Sequence, residues 1–260
     1  MLTYEIFNSF ESFRQSLARP HNGLGSASST FEGYGKKPWY GTRDMSEALN
    51  LLVKGYNDPL EKVKNIAIKN DYVSGANSSI RIPYYYGSSV NMGRAMKGLP
   101  KCMNKRKREV KNIPVINIFV DCGILSKVSV DEKIEYGIRV LSIINSLHSK
   151  GYNTEIFVGA ITIKSSEDDL SACLIKIKSY AESLNLLQLC FPIVHPSFLR
   201  RLMFAWREHF PKWNYYDYGR SAYVMNYEKL EKIVNDTLGK SFIYMNYKNV
   251  DKAISRLEGK

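Results

Sequence analysis

No Cys-x-x-Cys pair occurs in this chain, and its four cysteines, Cys102, Cys122, Cys173 and Cys190, are far apart. A disulfide framework and a zinc finger are thereby disfavoured, the more so because His21, His148, His195 and His209 stand at no finger-like spacing from them. Three of the cysteines sit in apolar stretches, where a free thiol behaves as a small core residue, so a reducing compartment is expected. No apolar run approaches the length needed to cross a bilayer, and the first seven residues lack the basic region and apolar run of a signal peptide. A cytoplasmic protein with no membrane partner is the expectation. Also missing are the phosphate-binding Gly-x-x-x-x-Gly-Lys-Ser/Thr loop, Gly-x-Gly-x-x-Gly, the Gly-x-Ser-x-Gly elbow and His-Glu-x-x-His. No common enzyme class is assigned, and neither a metal nor another cofactor is expected.

What is present is positive charge. Lys and Arg number 37 against 25 Asp and Glu, for a net charge of +12, which favours anionic partners through counterion release and long-range steering. Much of the excess is local: Lys101, Lys105, Arg106, Lys107, Arg108 and Lys111 fall within eleven residues opposed by Glu109 alone. Such a segment repels itself unless it is solvated or bound to something acidic. A solvated linker is the plain account; contact with a nucleic-acid backbone is the sharper one. Tyr84, Tyr85 and Tyr86, with Tyr215, Tyr216 and Tyr218, add stacking surfaces of the kind single strands use. Tyrosine-rich loops also serve protein interfaces. The alternative is therefore an interaction module with a protein partner, using those loops and the Gly-rich stretch at residues 21–38.

The 44% apolar content is enough for a sizeable core in 260 residues without staples. Residues 45–52 predict a helix stopping at Gly55, and Asp58-Pro59 opens a second one carrying Leu60, Val63, Ile66 and Ala67. Ile80-Arg81-Ile82 reads as a strand. From residue 113 an apolar, β-branched stretch ending at Asp121 predicts a buried parallel strand. Thereafter the spacing predicts a helix over 131–149, a strand over 154–163, a helix over 165–184, a strand over 189–194, helices after Pro196 and around Leu230, a short strand at 242–245 and a last helix. The expected fold is α/β, a Rossmann-like or von Willebrand A-like, mostly parallel sheet with helices on both faces. An α+β amino-terminal region of residues 1–111, ending in a basic linker, is expected to precede a domain of residues 112–260.

Two blocks carry a resemblance. Trp39-x-Gly41 with Ser46-Glu47-Ala48 and Gly55-Tyr56, followed by Val90-x-x-Gly93-x-x-x-x-Gly98-x-Pro100-x-x-Met103, resembles an uncharacterised family encoded by tailed bacteriophages and prophages. The likeness spans residues 39 to about 165. It implies a phage or mobile-element origin and a role in the host cytoplasm, with virion association as a further option, and supplies no catalytic template. The α/β part also looks like a von Willebrand A fold, whose first strand ends in a metal-holding Asp-x-Ser-x-Ser loop. Here the loop reads Asp121-Cys122-Gly123-Ile124-Leu125, with Gly123 and Leu125 in place of both serines.

Three other clusters have simpler explanations. Arg200, Arg201 and Arg207 near His195 and His209 are expected to face water while Leu199, Leu202, Met203 and Trp206 face the core. Glu167, Asp168 and Asp169 read as helix capping. Asp121 stands at a strand end, where ligands of parallel sheets bind, but has no motif around it.

Overall fold

The computed structural model describes residues 2–18, 37–69, 79–108, 115–125, 128–163, 170–209 and 225–258. Its first half contains β1 (Leu2–Phe7), α1 (Phe10–Ser16), α2 (Lys37–Tyr40), α3 (Met45–Lys54), α4 (Leu60–Lys69), β2 (Ser79–Tyr84), β3 (Ser89–Val90), α5 (Met92–Ala95) and β4 (Met103–Arg108). The second half contains β5 (Val115–Asp121), α6 (Val130–Ser149), β6 (Asn153–Ile163), β7 (Leu170–Lys178), α7 (Leu186–Val194), a π-helical segment (Phe198–Met203) running into α8 (Phe204–Arg207), α9 (Tyr227–Leu238), β8 (Ile243–Met245) and α10 (Val250–Glu258).

Five strands form the main sheet in the order β1-β7-β6-β5-β8. β5 pairs in parallel with β6 and β8, β1 in parallel with β7, and β6 runs antiparallel to β7. The protein is thus mixed α/β with a mostly parallel sheet. Period-two alternation sorts its side chains. Ile116, Ile118 and Val120 of β5 join the larger core with residues of α3, α4, α6, α7 and α10. Phe119 points the other way, into a second core with Phe157, Ile161, Leu174 and Tyr244, closed by Tyr227, Leu230 and Val234 of α9. Helices therefore cover both faces. Residues on both sides of position 111 build this body, since β1 is its edge strand and α3 and α4 lie against its larger core. Among the described residues no helix is long and apolar enough to cross a membrane.

Two elements after residue 164 differ from the sequence reading. Residues 170–178 form β7, not a helix, and residues 186–194 form α7, not a strand. Residues 170–178 and 189–194 are almost wholly buried, and apolar residues recurring this densely fit a helix period as well as a strand's. The deciding signals are local. Asn185 caps α7, its side chain accepting from the Gln188 N–H at 3.3 Å, and the Ile-Lys-Ile-Lys alternation at 175–178 suits a strand. β6 and β7 approach so closely at Gly159 that a Cβ there would lie 1.8 Å from the Cys173 carbonyl oxygen.

The arginines after Pro196 require a second correction. Arg200, Arg201 and Arg207 are only 2%, 1% and 2% exposed rather than facing water. Arg200 stacks on Trp39 and donates to the Trp39 and Val128 carbonyls, while Arg201 stacks on Tyr40 and donates to the Thr42 hydroxyl and the Thr42 and Arg43 carbonyls. Planar guanidinium forks tolerate burial when every edge finds an acceptor. The Trp39-x-Gly41 block is thus the receptor for these two arginines. Gly41 itself has φ +80°, and a Cβ there would fall 2.8 Å from both His195 Cε1 and Pro196 Cγ. Gly41→Ala is expected to lower unfolding free energy by about 2 kcal/mol in urea titration; a loss under about 0.5 kcal/mol would contradict this packing.

Candidate nucleic-acid interface

The basic segment is a strand with neighbours on both sides. β4 is the centre of a small antiparallel sheet in the order β2-β4-β3. A Met-Asn-Lys-Arg-Lys-Arg run has poor intrinsic strand propensity, so pairing with Ile80-Arg81-Ile82 on one side and Ser89-Val90 on the other holds it extended. The register sets Lys105 opposite Ile82, Lys107 opposite Ile80, and Arg106 directly opposite Arg81. The strand thus brings four consecutive basic residues, Lys105 to Arg108, into one short sheet.

The tyrosine triplet gathers around that charge. Tyr84 ends β2, and Tyr85 and Tyr86 follow in a turn, 63% and 61% exposed. The Lys105 ammonium lies over the Tyr84 and Tyr86 rings, 4.7 and 4.4 Å from their centroids, and donates to the Tyr86 hydroxyl at 2.8 Å. Lys101 lies over Tyr85 at 5.5 Å. The hydrogen bond to Tyr86 raises the Lys105 pKa, so this cation stays charged. Among the described residues no acidic side chain pairs with Lys101 or Lys105, whereas Lys176, Lys240 and Lys252 of the α/β body all meet glutamates.

Of the residues singled out from sequence, Lys101, Lys105, Tyr84, Tyr85 and Tyr86 come together here, with Arg106, Lys107 and Arg108 continuing the same strand. Lys111, Tyr215 and Tyr216 lie outside the described residues, as does Tyr218. Sequence reasoning passed over Arg81, which faces Arg106, and Arg94, whose Nε donates to the Lys101 carbonyl at 2.9 Å and ties the turn to the start of β4. It also passed over the exposed apolar side chains of Val90, Met92 and Met96, the last 83% exposed. Their signal was visible as apolar residues in the Val90–Met103 block, among glycines that leave no core to bury them.

Asp121, at the end of β5, sits in a closed network. Its carboxylate accepts from the Tyr244 hydroxyl at 2.6 Å and the Gly123 N–H at 2.7 Å, and Tyr136 donates to its backbone carbonyl. Among the described residues no three His, Cys, Asp or Glu side chains gather to hold a metal. Burial pushes the Asp121 carboxyl up to about 6, against the opposing pull of Tyr244, Gly123 and Arg207. The folded state therefore holds this proton to higher pH than the unfolded chain, where the group ionises near 3.8. Its contribution to stability is greatest below pH 3.8, falls as pH rises to about 6 and stays low above that, a change of about 3 kcal/mol. Asp121→Asn is expected to remove this slope, so that the variant gains about 3 kcal/mol on the parent between acid and neutral pH. Parallel pH profiles of unfolding in the two proteins would contradict the assignment.

A separate cleft of about 350 Å³ opens at the carboxyl ends of β1 and β7, lined by Asn8, Ser9, Lys178, Asn185 and Gln188 among others. Two of its polar groups are engaged elsewhere in the fold: Lys178 donates to the Thr154 and Ser179 carbonyls, and Asn185 is the α7 cap. No curated protein and no solved structure matches the chain. The profile of one family, described as a domain of unknown function (DUF7192), matches residues 2–251, and the chain belongs to that family.

Proposed function

We propose that this is a non-enzymatic, phage-type protein that binds nucleic acid, or a nucleoprotein assembly, through the basic β2-β4-β3 sheet. The observation that carries the reading is the side-by-side placement of Lys101 and Lys105 with Tyr84, Tyr85 and Tyr86, neither lysine having an acidic partner among the described residues. Lysines and arginines in that setting supply a salt-sensitive attraction to phosphates that is independent of base sequence. In the same reading the α/β body is a Rossmann-like or von Willebrand A-like scaffold, the latter supported by the acidic end of β5. A phage origin and a host-cytoplasmic role are supported by the Trp39–Gly41 and Val90–Met103 blocks.

Fluorescence anisotropy with a labelled oligonucleotide tests this. Binding should be evident at about 50 mM salt and weaken by more than tenfold by about 200 mM. Binding that is absent at low salt, or indifferent to salt, sinks it. A second reading, a protein-interaction surface such as an assembly factor would use, draws on the exposed Val90, Met92 and Met96. It predicts an oligomer or complex that survives high salt.

A further inference from the structure

We infer that the form of nucleic acid this sheet takes is a single strand, held by unpaired bases stacking on Tyr85 and Tyr86 while Lys101 and Lys105 hold the phosphates alongside. The inference rests on the nucleic-acid reading above and narrows it. A duplex offers a protein its phosphates and the edges of its bases, whereas the faces of the bases are stacked away. A single strand offers the faces, and base-on-aromatic stacking is tolerant of sequence. The two rings keep more than half of their surface in water, an area that phosphate contact alone would leave wet.

Three features prepare the rings for stacking. Lys105 covers one side of Tyr84 and Tyr86 and hydrogen-bonds the Tyr86 hydroxyl, which fixes that ring before any ligand arrives. Tyr84 packs edge-on against both neighbours, at 5.9 Å from Tyr85 and 4.9 Å from Tyr86, so the three rings present different directions rather than one closed stack. The exposed Val90 lies on β3 of the same small sheet, and the exposed Met92 and Met96 open and cap α5 directly after it; apolar surface of this kind gains from contact with bases and nothing from contact with phosphate.

The test uses the full chain and four labelled probes of equal length: oligo-dT, oligo-rU, a DNA duplex and an RNA duplex, all at about 100 mM salt. At least one single strand should bind about tenfold or more tighter than either duplex. Each stacking ring is worth about tenfold or more in affinity, so Tyr85→Ala with Tyr86→Ala should weaken single-strand binding at least that much and change duplex binding less than about twofold. Tyr85→Phe, which keeps the ring, should retain single-strand binding. Because both side chains are exposed, unchanged thermal melting of the variants will exclude unfolding as the cause. If a duplex binds as tightly as both single strands, or the alanine variants bind like the parent, the single-strand inference fails and the proposed function stands. If no probe binds even at low salt, both fail.

Discussion

Replacing Lys105, Arg106, Lys107 and Arg108 together by alanine is expected to weaken oligonucleotide binding by at least about a hundredfold at about 100 mM salt. Each cation that neutralises a phosphate contributes about 0.7 to 0.9 to the slope of log affinity against log salt concentration, so four lost contacts should flatten that slope by roughly 3. The slope is the more informative of the two readouts, since misfolding removes binding without leaving a shallower line. Unchanged thermal melting of the variant will show that it still folds. Lys229→Ala with Lys232→Ala, on an exposed face of α9 in the α/β body, serves as the control and should change affinity less than about threefold. Equal losses in both variants would mean that net charge alone attracts the ligand.

Arg201→Ala is expected to remove about 4 kcal/mol of stability. The guanidinium gives hydrogen bonds to the Thr42 hydroxyl and to the Thr42 and Arg43 carbonyls while packing on Tyr40. Truncation strands those buried acceptors and opens a cavity under the ring. Arg201→Lys keeps the charge and loses the fork, so it should recover less than half of the deficit. Urea unfolding measures both. A loss under about 1 kcal/mol for the alanine variant would show that the Trp39–Arg43 segment is held by something else.

Much of the scaffold was legible because its signals are local and periodic. Ser129 and Glu132 form a capping box that opens α6, Gly55 ends α3, and the β-branched run into Asp121 reads as a buried strand. The exchange of strand and helix at 170–178 and 186–194 has a single physical cause. Where most of an element is buried, apolar residues recur at spacings that fit either period; Pro192 within α7 removed the remaining hint of a helix. The fate of Arg200 and Arg201 was illegible for another reason. Most of their partners, in Trp39 to Arg43, lie about 160 positions away in sequence, and backbone carbonyls leave no trace in composition. At the basic sheet the charge and the tyrosines were both visible, but the pairing that unites them was not. It depends on the register that brings Ile82 opposite Lys105 and so sets that lysine against Tyr84 and Tyr86.

Photochemical cross-linking of the full chain to oligo-dT, followed by mass spectrometry of the adducts, locates the contact surface without altering any residue. Adducts should concentrate in the peptides spanning β2 to β4, with Tyr85 and Tyr86 as the modified side chains, and should fade as salt is raised. Adducts confined to the α/β body, or none at all under conditions where binding is measured, would contradict the account.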